Sequence, residues 1–86
     1  MMSVIRWNKR AYKQLKKMPA KVKVAVITAV ENLPEPDGWR QVKPLKDHLY
    51  QYRLRVGRYR VFFDVEEEKI KVYLIQEVKK RDDRTY

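Results

Sequence analysis

The stretch LYQYRLRVGRYRVFFDV, residues 49–65, decides the fold. Tyr50, Tyr52, Leu54 and Val56 alternate with Gln51, Arg53 and Arg55. After Gly57-Arg58, Tyr59, Val61, Phe63 and Val65 alternate with Arg60, Phe62 and Asp64. A period of two marks strands with one buried face. Two residues between the runs, glycine first, predict a type II′ hairpin turn. That turn sets a register in which Val56 faces Tyr59, Arg55 faces Arg60, and Arg53 faces Phe62.

Downstream, residues 69–78 predict another strand, with Ile70, Val72, Leu74 and Val78 on one side. Pairing Glu66 with Lys69 keeps the apolar faces matched and leaves Glu66-Glu67-Glu68 as a solvated tip. Phe62 then faces Tyr73, Arg60 faces Ile75, and Asp64 faces Lys71. Upstream, Ser3 to Trp7 is short and β-branched, an opening strand. Asn8 reads as the N-cap of a helix through about Lys17, with Ala11, Leu15 and Met18 on one face. Pro19 breaks that pattern. Val22, Val26, Ala29, Val30 and Leu33 then mark the buried stripe of a second helix, about Ala20 to Leu33. Pro34 to Gly38 is a loop. The order is β-α-α-β-β-β, an α+β fold. A helical hairpin packs on one face of a small, mainly antiparallel sheet, covering Tyr52, Leu54, Val61, Phe63, Val72 and Leu74.

Composition sets the outer limits. Eighty-six residues with 44% hydrophobic content make a single domain, residues 1–86, with one modest core. The absence of cysteine excludes disulfides and thiolate chemistry. One histidine excludes a two-histidine nuclease or a histidine-rich metal site, and no phosphate-cradling glycine loop or serine triad is present. No metal and no cofactor is expected. No apolar run has signal-peptide or membrane-spanning character, so the expected compartment is the cytoplasm. Twenty-one Lys and Arg against 11 Asp and Glu give a net charge of +10. A field of that sign draws the chain toward a polyanion.

The other sheet face is expected to carry Arg53, Arg55, Arg60, Phe62 and Tyr73. Two arginines directly opposite each other repel across a hairpin. An anion between them relieves the repulsion, and guanidinium forks suit phosphate. Phe62 and Tyr73 beside them offer rings for stacking a base of single-stranded RNA. His48 is expected at the mouth of the second strand, structural or exposed.

The element order, the segment LKDHLYQYRLRVGRYRVFFDV and the ending KKRDDRTY together resemble the RelE/ParE toxins of bacterial type II toxin–antitoxin systems, RelE more than ParE. The most specific piece is the R-x-R-x-G-x-Y-R hairpin from Arg53 to Arg60. The resemblance implies a ribosome-dependent, metal-independent mRNA endoribonuclease in which a ribose 2′-hydroxyl attacks the adjacent phosphate. It implies catalytic roles for Arg60, Arg81, Tyr86 and Arg53: Arg60 and Arg81 stabilise the phosphate, and Tyr86 orients the nucleotide. RNA-binding positions are Arg55, Phe62, Tyr73, Lys79 and Lys80. RelE proper has paired lysines where this chain has Gln51 and Arg53, which leaves Lys79, Lys80, Tyr86 and His48 open as proton-transfer groups. A ParE-like DNA gyrase inhibitor without enzymatic activity is the alternative, on the same scaffold. Either implies a cognate antitoxin with an acidic segment. The first also implies the ribosome and mRNA as partners, with operator DNA reached only through the antitoxin.

Overall fold

The computed structural model describes residues 3–80. β1 (Ser3–Trp7) leads into α1 (Lys9–Lys16) and α2 (Ala20–Glu31), and a 3₁₀ turn follows over Pro36–Trp39. Four strands complete the chain: β2 (Val42–Pro44), β3 (Tyr52–Val56), β4 (Tyr59–Glu67) and β5 (Lys71–Lys80). They form one sheet in the order β1-β5-β4-β3-β2, in which only the β1–β5 pair is parallel. The α+β class and the element order stand, with one short strand added. β2 gave no readable signal because it has three residues and ends in Pro44, a residue tolerated only at an edge.

Local chemistry explains the helices. The Asn8 side chain accepts the Ala11 N–H at 2.8 Å, capping α1 as its position predicts. Ala11 and Leu15 are buried, and so are Val26 and Val30 of α2 and Leu33 beyond its end. α1 lies along β5 and α2 lies over β3. Trp39 seals the core between the helices and the sheet. Its ring stands edge-on to Tyr52 and Phe63, at centroid distances of 5.0 and 5.6 Å, and its indole N–H donates to the Leu33 carbonyl at 2.7 Å.

The first hairpin has the expected register, with Arg55 opposite Arg60 and Arg53 opposite Phe62. Gly57 has φ of 57° and Arg58 is not in the left-handed region, as a type II′ turn requires. The second hairpin departs from expectation. Glu67, not Glu66, begins the pairing, opposite Lys71, and Val65 faces Tyr73 while Phe63 faces Ile75. A bulge then shifts the pairing, so that Phe62 faces Glu77 and Arg60 faces Lys79. An odd-numbered slip inverts a strand. Tyr73 and Ile75 therefore belong to the core, 2% and 0% exposed, while Val72 and Leu74 lie on the opposite face. The bulge returns Val78 to the core.

Candidate nucleic-acid interface

The face away from the helices has two unlike ends. Near the Gly57 turn, Arg55, Arg60 and Lys79 form a row across β3, β4 and β5. The next row comprises Lys43, Arg53, Phe62 and Glu77. Arg53, Arg55 and Arg60 have no carboxylate partner among the described residues. The Arg53 Nε is buried without a hydrogen-bond partner among the described residues. A cleft of about 170 Å³ opens at this end, lined by Arg53, Arg55, Gly57, Arg58, Tyr59 and Arg60. Burying an unpaired guanidinium N–H costs stability, and an acceptor oxygen placed here would offset that cost.

The other end is internally compensated. Glu77, whose side chain is 15% exposed, accepts a hydrogen bond from the Tyr50 hydroxyl at 3.2 Å, with Arg10 at 3.9 Å and Lys79 at 3.7 Å. Burial, and then the Glu77 carboxylate, hold the Tyr50 phenol above its usual range, with Arg10 pulling the other way. Arg10 reaches this face because α1 takes over from β1 as the neighbour of β5. Asn8 N–H donates to the Ile75 carbonyl, the Asn8 amide reaches Gln76, and Val78 N–H donates to the Gln14 side chain.

Gln51, one of the two positions the resemblance singles out, bonds to the neighbouring strand. Its side-chain oxygen accepts the Val65 N–H at 2.8 Å, and its own N–H donates to Asp64 at 2.7 Å. Asp64 also accepts from Gln76 at 3.0 Å. Gln51 thus ties β3 to β4 and is committed to the backbone.

The expected site residues divide as follows. Arg53, Arg55, Arg60 and Lys79 share the open face. Lys80 faces the other way and lines a groove with Pro19, Lys21 and Val22. Tyr73 is corrected from the open face to the core, where no base can reach its ring. Phe62 is on the open face but only 9% exposed, because His48 stacks on it with centroids 5.3 Å apart and planes 12° from parallel. Arg81 and Tyr86 lie outside the described residues. Sequence reasoning missed this role of His48 and the roles of Tyr50 and Glu77. The only signal was their spacing to one end of one face, which the wrong β4–β5 register concealed.

A model of the ParE toxin of type II toxin–antitoxin systems, parDE, matches residues 5–84. The chain belongs to this family, within the RelE/ParE superfamily, and is a toxin of a type II toxin–antitoxin system. Solved structures similar to it include RelE proteins and RelE–RelB complexes. The Mycobacterium tuberculosis RelBE2 toxin–antitoxin complex contains a chain 24% identical, with a TM-score of 0.77, covering 94% of this chain and 100% of that one. The RelE–RelB complex of Pyrococcus horikoshii gives 27% identity and a TM-score of 0.72, covering 96% and 99%. A double arginine-to-alanine variant of Escherichia coli RelE in the free state gives 23% and 0.69, covering 99% and 88%. A comparison with curated proteins finds no match. Among the described residues, no helix is long and apolar enough to cross a membrane.

Proposed function

We propose that this toxin is an endoribonuclease that cleaves mRNA in the translating ribosome without a metal ion. The observation that carries the reading is the direct opposition of Arg55 and Arg60, neither with a carboxylate partner among the described residues, with Arg53 behind them. In the reaction, the ribose 2′-oxygen bonds to the adjacent phosphorus and the P–O5′ bond breaks. The products are a 2′,3′-cyclic phosphate and a 5′-hydroxyl, and the proton lost from the 2′-hydroxyl is matched by one gained at the leaving oxygen. Charge builds on the non-bridging oxygens at the pentacoordinate stage, where preorganised guanidinium donors stabilise it more than the ground state. Arg60 and Arg53 fill that role from the sheet, and by family resemblance Arg81 joins them while Tyr86 orients the nucleotide. Gln51 takes no proton usefully, and its amide is already engaged.

One specific observation favours a second reading. The matching family model describes a ParE toxin, which supports a gyrase inhibitor whose basic face holds a protein–DNA complex. The structural neighbours include toxins in complex with RelB, and this chain is proposed to pair with a cognate antitoxin whose acidic segment complements the +10 charge.

A cell-free translation reaction with the purified toxin, followed by mapping of mRNA ends, separates the readings. Cuts within the A-site codon that require ribosomes are the expected result. Intact mRNA beside a folded toxin overturns the endoribonuclease reading in favour of gyrase.

A further inference from the structure

We infer that His48, backed by Phe62, is a stacking platform for an unpaired nucleobase of single-stranded RNA. The inference deepens the proposed function and rests on its view that the arginine face binds RNA. Three observations lead to it. The His48 ring is exposed, and its inner face lies nearly parallel on Phe62 at 5.3 Å, so its outer face continues the stack. The ring is fixed in place, because its Nδ1 accepts the Tyr50 N–H at 3.1 Å while the Tyr50 hydroxyl is held by Glu77. The loop that carries it is closed at its base, where Leu45 N–H donates to the Gln51 carbonyl at 2.8 Å. A platform ordered before binding costs little entropy to use.

Position supplies the ligand class. Phe62 is directly opposite Arg53, and Arg60 lies two residues along the same strand on the same face, about 7 Å away at strand spacing. A flat ring therefore sits one nucleotide's reach from a row of phosphate-seeking cations, the pairing that single-stranded nucleic acid uses. With Nδ1 accepting, the neutral ring carries its proton on Nε2, which adds a donor at the free edge. Leu49, the next residue in the loop, is an exposed apolar side chain, 80% accessible.

The test uses the full chain and a short, uncleavable 2′-O-methyl RNA carrying 2-aminopurine, whose fluorescence is quenched when it stacks. The parent is expected to bind and quench. His48→Ala should fold normally, lose the quenching and bind ~5- to 150-fold more weakly, the range of one lost base stack. His48→Phe should restore both signals, whereas His48→Gln, which keeps hydrogen bonding without a ring, should not. If His48→Ala binds and quenches like the parent, the platform is overturned while RNA binding stands. Rescue by glutamine but not by phenylalanine overturns stacking in favour of a hydrogen-bonding role. A parent that binds no RNA overturns the underlying reading together with the platform.

Discussion

The two ends of the open sheet face carry similar side chains in opposite electrostatic states. At one end Arg55 opposes Arg60, and the buried Arg53 Nε has no partner among the described residues. At the other, Glu77 is surrounded by the Tyr50 hydroxyl, Arg10 and Lys79, and Phe62 is covered by His48. Stability explains the second arrangement and opposes the first. Like charges placed directly across a hairpin destabilise it, whereas a hydrogen-bonded carboxylate stabilises its surroundings. The contrast supports the proposal that places function at the arginine end and scaffold at the glutamate end.

Substitutions that separate activity from stability sharpen that contrast. The largest effect is expected for Arg60→Ala. Loss of one preorganised charge donor should slow ribosome-dependent mRNA cutting about 100-fold or more, with no fall in the melting temperature. Arg81→Ala should likewise abolish growth arrest in a protein that still folds. Glu77→Ala should do the reverse. It leaves the Tyr50 hydroxyl without its acceptor and two cations without their carboxylate, and should cost about 1–3 kcal/mol in denaturant unfolding. A stable Glu77→Ala protein would erase the distinction between the ends.

Tyr50→Phe makes a finer probe, with an expected cost of about 1 kcal/mol. Because the folded chain holds this phenolic proton more tightly than the unfolded chain, the linked stability is intact below the ordinary tyrosine value of about 10. It is lost as pH rises from there through the folded value. Unfolding curves taken across that alkaline window should decline less steeply for Tyr50→Phe than for the parent. Gly57→Ala gives a comparable or smaller effect at the arginine end. A Cβ there meets nothing within 4 Å, so only the φ of 57° is strained, for about 1 kcal/mol by thermal unfolding.

The legibility of the sequence follows the same division of the molecule. Gly57-Arg58 is a turn with one favoured geometry, so the β3–β4 register and the opposition of Arg55 and Arg60 could be read directly. Between β4 and β5 no glycine or proline fixes the turn, and β4 runs through Glu67. Both parities of β5 are apolar there, Val72 and Leu74 against Tyr73 and Ile75, so alternation could not choose the buried face. The bulge between Phe63 and Phe62 has no mark in the sequence that a two-residue period can reveal. Everything that depended on that register was displaced, including the core position of Tyr73 and the meeting of Tyr50 with Glu77. The two helices were legible because Asn8, Pro19 and the valine stripe each act locally.

The most direct measurement compares the parent and Arg60→Ala in parallel, by mRNA end mapping in a translating extract and by thermal melting. The account predicts A-site cuts by the parent, almost none by the variant, and a variant melting temperature equal to or above the parent's. A variant that cuts like the parent, or one that melts well below it, would contradict the assignment of the arginine row to chemistry.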